Sequence, residues 1–190
     1  MKAIRRAVLI SASPRRKALL GAFIKDLKVL VPKAQEVPVK TKGDLLKNAR
    51  LKFSSVKPPK AELIVSADTA VFLGKMVLGK PITPVKAKAM LVQLSGRWHE
   101  VSTAMVLSLG RKKIEAVVTT KVHFRKLDKV TIDAYVATGE PLDKAGAYGI
   151  QGLGGLFIDQ IIGDYYNVVG LPLPKLEEIL EKNGYCLWKK

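Results

Sequence analysis

The chain has 190 residues, 48% of them hydrophobic and 26% charged, and its 33 lysines and arginines against 16 acids give a net charge of +17. That is apolar material for one compact domain over residues 1–190, with two lobes sharing a core, and it excludes a disordered chain. No apolar run approaches the roughly 18 residues of a membrane span, and the run Ala7 to Ile10 behind the basic start is too short for a signal peptide, so a soluble cytoplasmic protein is expected.

In chain order, Ala7 to Ala12 (AVLISA) is an apolar run of strand length. Ser13-Pro14 then reads as a helix N-cap followed by proline at the first helical position, with Leu19, Leu20, Phe23, Ile24 and Leu27 at helical spacing. Val29 to Val39 is a second strand interrupted by Pro32, and Leu45 to Ser54 is a helix closed by Pro58-Pro59. Leu63 to Leu73 (LIVSADTAVFL) reads as a buried strand with polar residues in its middle. After the turn Gly79-Lys80-Pro81, Thr83-Pro84 repeats the cap-plus-proline signal for a helix to Leu94, and Gly96 suits a left-handed C-terminal position. Glu100–Leu109 and Ile114–Leu127 read as two strands joined by residues 110–113. A short helix over Ile132–Ala137 follows. Next come a loop with six glycines in residues 139–155, a strand Phe157–Ile162, and a helix Pro174–Asn183 stopped by Gly184. Early alternation of strands and helices with a hairpin in the middle predicts an α/β fold with a mixed sheet.

The positive charge is uneven: residues 1–60 hold 16 cations and 3 acids, a net of +13, and residues 61–190 a net of only +4. Such a field attracts nucleotides, nucleic acid or anionic lipid, or it serves solubility and heat adaptation. The lone Cys186 excludes an internal disulfide and a cysteine-based metal cluster, and reads as a thiol without a role.

Five places carry candidate chemistry. Ser13-Pro14-Arg15-Arg16 combines a helix start, which binds anions, with forked donors suited to phosphate, or it is a capped helix with two solvated arginines. Asp68 in Ser66-Ala67-Asp68-Thr69 is a carboxylate inside an apolar strand. That position suits a metal ligand, a general base or half of a structural ion pair. Lys80 in Leu78-Gly79-Lys80-Pro81 either neutralises a phosphate or is a solvated turn lysine. In Ser95-Gly96-Arg97-Trp98-His99, His99 either donates to phosphate or is structural at a strand start, the structural reading being preferred. His123, alternating with Lys121 and Arg125, is expected to face solvent. In the glycine-rich loop Gln151 presents a donor and an acceptor suited to a base edge, or the loop is a set of turns. It contains neither a GxxxxGK[ST] nor a GxGxxG pattern.

Taken together, Leu9–Leu20 (LISASPRRKALL), Val65–Thr69 (VSADT), Leu78–Pro81 (LGKP), Leu94–Thr103 (LSGRWHEVST), Tyr135–Gly155 (YVATGEPLDKAGAYGIQGLGG) and Gly163–Leu173 (GDYYNVVGLPL) resemble the Maf family of nucleoside triphosphate pyrophosphatases over nearly the whole chain. The resemblance implies an elongated mixed sheet with flanking helices, forming two lobes around a nucleotide cleft. It implies divalent-metal-dependent attack of water on the α-phosphate, with Mg or Mn as cofactor. Asp68 matches the family's general base and a metal ligand, and Lys52 and Lys80 are similar to its phosphate-contacting lysines. Arg15, Thr69 and Gln151 match positions that distinguish branches, here the one acting on dTTP and UTP; the branch acting on 7-methyl-GTP carries an acid in place of Gln151. Ser13, Arg16 and Arg97 join the substrate-binding set. Two departures stand out. The segment Val29 to Asp44 is shorter and more basic than in the family, leaving Glu36 as the one acid before Asp44 to serve as metal ligand. The strong positive charge is not part of the family pattern.

The chemistry is consistent with this reading. A triphosphate carries about four negative charges, and arginines, lysines and a cation offset those that build on the leaving pyrophosphate. Two other readings are a non-enzymatic nucleic-acid- or septum-associated binder using the basic first third, and a pyrophosphatase for modified purine triphosphates. Only 6% aromatic residues and no nucleic-acid signature disfavour the first. A homodimer is compatible with either.

Overall fold

The computed structural model describes residues 1–188. In chain order the elements are β1 (Lys2–Ala3), β2 (Arg6–Ile10), α1 (Pro14–Gly21), β3 (Asp26–Leu30), α2 (Lys42–Ser54), β4 (Leu63–Leu73), β5 (Met76–Leu78), α3 (Pro84–Leu94), β6 (Trp98–Leu109), β7 (Lys112–Phe124), α4 (Lys129–Ala137), β8 (Ile158–Ile162), α5 (Tyr165–Val169), α6 (Leu173–Glu181) and β9 (Tyr185–Cys186). Three short 3-10 segments lie between α4 and β8. The main sheet runs β3-β2-β4-β6-β7-β8, with β5 paired to β4. Strand β2 is parallel to both β3 and β4, whereas β4–β5 and β7–β8 are antiparallel. The sheet is therefore mixed and open, in the α/β class expected.

Local chemistry accounts for the helix starts. The Ser13 hydroxyl accepts from the Arg16 amide with Pro14 in the first turn, and Thr83 does the same for Lys86 ahead of Pro84. Thr41 and Asp44 form a reciprocal capping box on α2, and Asp128 caps α4 through the Thr131 amide. These caps lengthen α2 and α4 at their N-termini beyond the expected spans. Gly96 and Gly184 adopt positive φ after α3 and α6.

The strand expected over Val29–Val39 is instead Asp26–Leu30, followed by irregular backbone through Lys40. Pro32 and Pro38 cannot donate to a ladder, so the pairing ends before them. Strands β1, β5 and β9 and helix α5 were not expected. Each is five residues or fewer, too short for a periodicity to show.

The chain forms two compact units. The first takes Met1–Asp68, Thr103–Val118 and the segment from Gly170; the second takes Thr69–Ser102 and Thr119–Val169. In the first, Ala7 to Ile10 of β2 are fully buried between two parallel neighbours, which is why that strand reads as an unbroken apolar run. Leu20, Leu45, Ala49, Leu63, Leu171 and Leu176 are also fully buried there. Cys186 is a free buried thiol. The second unit has its own core, built from Leu91 and Leu94 of α3, Val122 and Phe124 of β7, Ile132, Tyr135 and Val136 of α4, and Tyr148 and Phe157. Its aromatics meet edge to face, Phe124 against Tyr148 at 4.7 Å and Tyr135 against Phe157 at 4.8 Å between ring centres. Among the described residues no helix is long and apolar enough to cross a membrane.

Candidate active site

Of the 16 cations in residues 1–60, Arg16 and Lys52 are the two that are buried, each 8% exposed. A buried cation needs partners, and both have them inside the first unit. Lys52, on the last turn of α2, donates from Nζ to Asp68 Oδ1 at 2.6 Å. The same ammonium lies 3.1 Å from Glu36 Oε2. Asp68 is 8% exposed on β4, so its carboxylate is shielded and its interaction with Lys52 is screened little by solvent.

Glu36 arrives from the irregular segment after β3, and Asn48 brings it there. Asn48, one turn before Lys52 on α2, accepts from the Val37 amide at 2.8 Å and donates to the Val37 carbonyl at 2.9 Å. A buried amide thus satisfies both polar groups of Val37, as a neighbouring strand would. The residue before Val37 is thereby held at the Lys52 ammonium. The Ser66 hydroxyl donates to the Ala49 carbonyl at 2.8 Å, a second tie between α2 and β4.

The start of α1 belongs to the same unit. Ser13 is committed to its cap, and Arg15 follows on the first turn, half-buried. Arg16 points inward: its Nε donates to the Gly170 carbonyl at 2.6 Å and its Nη1 to the Ser11 hydroxyl at 3.3 Å. Burial draws its guanidinium below the usual arginine range, opposed by the charges of Asp68 and Glu36. The α1 start and the carboxylate pair therefore lie within electrostatic reach of each other. At 8% exposure Arg16 does not fit the alternative of two solvated arginines.

The second unit carries Thr69, Lys80, Arg97 and Gln151. Thr69 is half-buried on β4; the other three are exposed. Among the described residues no hydrogen bond or ion pair joins Lys80, Arg97 and Gln151 to one another. Lys80 sits in a strained stretch. Two residues on, Ile82 has φ +62, and the Thr83 amide bonds back to the Pro81 carbonyl at 2.6 Å. That makes a γ-turn with a β-branched residue at its left-handed centre, an expensive conformation of the kind found at functional sites. The Gly146 amide donates to the Gly79 carbonyl at 3.2 Å and pins the same turn to the glycine-rich loop.

Gln151 is the third residue of a turn closed by the Gly152 amide on the Gly149 carbonyl at 3.1 Å. His99 takes the structural role: it is 3% exposed, its Nε2 lies 2.8 Å from the Tyr148 hydroxyl, and burial pulls its pKa down to about 4. It is neutral near pH 7 and packed edge to face on Phe124 and Tyr148. His123, expected to face solvent, is instead half-buried, with Nδ1 2.6 Å from Asp159 Oδ1 and its ring against Trp98.

Two residues that bear on these sites were not singled out from sequence, Asn48 and Glu140. Asn48 carries no sequence signal, because its partner is backbone 11 residues away. Glu140 stands within the longest family-like segment, opposite the glycines it serves.

A divalent cation with oxygen ligands is compatible with this geometry. Glu36 and Asp68 present hard carboxylate oxygens at one point, now bridged by a single ammonium. Among the described residues there is no group of three or more His, Cys, Asp or Glu that could hold a metal. The carboxylates that meet there are the pair Glu36 and Asp68.

The family profile described as Maf-like protein matches residues 6–183. The chain is 47% identical over 177 residues to a dTTP/UTP pyrophosphatase of Thermococcus onnurineus, covering 90% of this chain and 96% of the relative. It is 41% identical over 189 residues to a dTTP/UTP pyrophosphatase of Clostridium tetani, covering 95% and 98%. Among solved structures, the Staphylococcus aureus Ham1 protein aligns with a TM-score of 0.43 at 9% identity, over 63% of this chain and 72% of that one, a likeness that decides neither fold nor function. A match across this length means that the chain belongs to the Maf-like protein family.

Proposed function

We propose that the chain hydrolyses dTTP and UTP to the nucleoside monophosphate and pyrophosphate, in a cytoplasmic nucleotide pool. The observation that carries the reading is the buried Lys52 ammonium held between Asp68 and Glu36, in the unit that also presents Arg15 from a helix start. The relatives' name and their identity over most of the chain support it.

The chemistry assigned to the residues is as follows. Asp68 orients a water and takes its proton as the water oxygen bonds to the α-phosphorus. The bond from that phosphorus to the bridging oxygen breaks, and pyrophosphate leaves. Lys52 fixes the Asp68 carboxylate through a charge-assisted hydrogen bond and supplies positive charge. Arg15, at the positive end of α1, and Lys80 neutralise phosphate oxygens, with most effect where charge accumulates on the leaving group. Ser13 keeps the α1 start in its anion-accepting geometry. Thr69, Arg97 and Gln151 contact the nucleotide, Gln151 reading the base edge through its amide. Glu36 and Asp68 are the residues that would hold Mg or Mn, which when bound supplies Lewis-acid stabilisation of the phosphate charge.

The test is pyrophosphate release from dTTP, UTP, ITP and 7-methyl-GTP with Mg or Mn. Fast release from dTTP and UTP is expected. Release from ITP or 7-methyl-GTP alone would change the substrate class. No release from any triphosphate, together with salt-sensitive binding of nucleic acid, would replace hydrolysis by binding.

A further inference from the structure

The segment that bears Gln151 is anchored in the core at Tyr148 and Phe157, and between these anchors it is rich in glycine. Six glycines in residues 139–155 make its unfolded ensemble broad, and Gln151 is exposed at a turn corner. One carboxylate gathers it. Glu140 Oε2 accepts from the Leu153 amide at 3.0 Å, and Oε1 accepts from the Gly154 amide at 3.3 Å and the Tyr135 hydroxyl at 2.9 Å. The Tyr135 oxygen in turn accepts from the Gly149 amide at 3.3 Å. Glu140 and Tyr135 together therefore grip the backbone on both sides of the Gly149–Gly152 turn. The glycines are fitted to this grip. A Cβ on Gly152 would lie 2.5 Å from Glu140 Oε2, and one on Gly154 would lie 2.7 Å from the Tyr135 hydroxyl. A Cβ on Gly155 would meet the Ile150 carbonyl at 2.5 Å, so the loop's own backbone also depends on their absence.

We infer that Glu140 is a positioning residue for base selection: its carboxylate latches the glycine-rich loop so that the Gln151 amide is presented in one orientation. The inference rests on the reading that Gln151 contacts the base of the triphosphate. The chemistry requires an acceptor-only group. Three donors converge on Glu140, and a carboxylate accepts from all of them, whereas an amide would set its own NH₂ against the Leu153 amide or against the pair on Oε1. Each lost bond to a charged acceptor frees part of the stretch between Gly149 and Gly154.

The experiment uses the 190-residue chain with Glu140→Gln, Glu140→Ala and Tyr135→Phe, the last two removing the carboxylate and the hydroxyl separately. Amide hydrogen exchange at Leu153 and Gly154 is expected to become about tenfold faster in both Glu140 variants. The ratio of kcat/KM for dTTP over dATP is expected to fall by about tenfold, through KM for dTTP, with kcat little changed. Tyr135→Phe should shift the ratio in the same direction by less. Unchanged exchange at Leu153 and Gly154 would overturn the latch. An equal loss of rate on both triphosphates would overturn its role in selection, leaving a residue that merely supports the fold. If the alanine variant does not fold, the glutamine and Tyr135 variants carry the same readouts. Absence of turnover by the unmodified protein would refute the hydrolase reading, while the exchange result would still decide the latch.

Discussion

Asp68→Asn removes the charge of the proposed base and keeps its shape, so it separates chemistry from fold. In the folded chain Asp68 Oδ1 accepts from Lys52 Nζ at 2.6 Å, and both residues are 8% exposed. Stripping a buried cation of its partner costs about 3–5 kcal/mol when nothing replaces it. Here two things remain: the asparagine oxygen still accepts, and Glu36 stays 3.1 Å from the ammonium with its side chain 48% exposed. The loss is then that of an ion pair reduced to a bond from the ammonium to a neutral oxygen, about 1–2 kcal/mol. For a chain of this size the melting temperature should fall by roughly 2–8 °C. Turnover should fall much further. Loss of a positioned general base costs on the order of 10²–10⁴ in rate, about 3–5 kcal/mol of barrier. Pyrophosphate release from dTTP, measured well below the variant's melting point, reads the second effect free of the first. Turnover within a few-fold of the unmodified protein would refute the role of Asp68. An unchanged melting temperature would refute the weight given to the Lys52 pair.

Gln151→Glu is expected to reorder the base preference, lowering dTTP and UTP relative to purine triphosphates by about tenfold in kcat/KM, because an acceptor replaces a donor at the base edge; an unchanged ranking would remove Gln151 from the base site. Arg16→Lys should destabilise the fold by about 1–3 kcal/mol while leaving KM for the triphosphate near its original value, since the guanidinium is spent on Gly170 and Ser11; a large rise in KM without a change in melting would return it to the phosphate site. The His99 imidazole is held at about 4 by burial, below an ordinary value near 6.5. The unfolded chain therefore binds a proton there that the folded chain refuses. This contribution, up to about 3 kcal/mol, is complete above pH 6.5 and is lost as the pH falls towards 4. Urea melts at about pH 7 and pH 4.5 should show a smaller loss for His99→Gln than for the unmodified protein, and equal losses would refute the assignment.

Much of the fold was legible because its signals are local. Ser13-Pro14, Thr83-Pro84 and the run from Leu63 to Leu73 declare their elements within a few residues, since a cap or a buried strand depends on its immediate neighbours. The extent of α2 and α4 was less clear, as their caps sit on Thr41 and Asp128, outside the apolar pattern. The carboxylate inside β4 could be marked as chemically costly from sequence, and so could the arginines after Ser13. What each of them touches could not.

That Asp68 meets Lys52 across 16 residues, that Arg16 turns inward to Gly170 across 154, and that Asn48 takes the place of a strand partner for Val37 are decisions of packing between distant segments. Burial decides them. Once the parallel strands and helices close over these groups, an unpaired cation or amide costs more than any local preference can return. The sequence by itself determined where the elements begin and which residue types were present for phosphate chemistry. Only the tertiary structure decided which cation sits between two carboxylates, which arginine turns inward, and which carboxylate holds the glycine-rich loop, because each of those choices depends on which polar groups are shut away from water together.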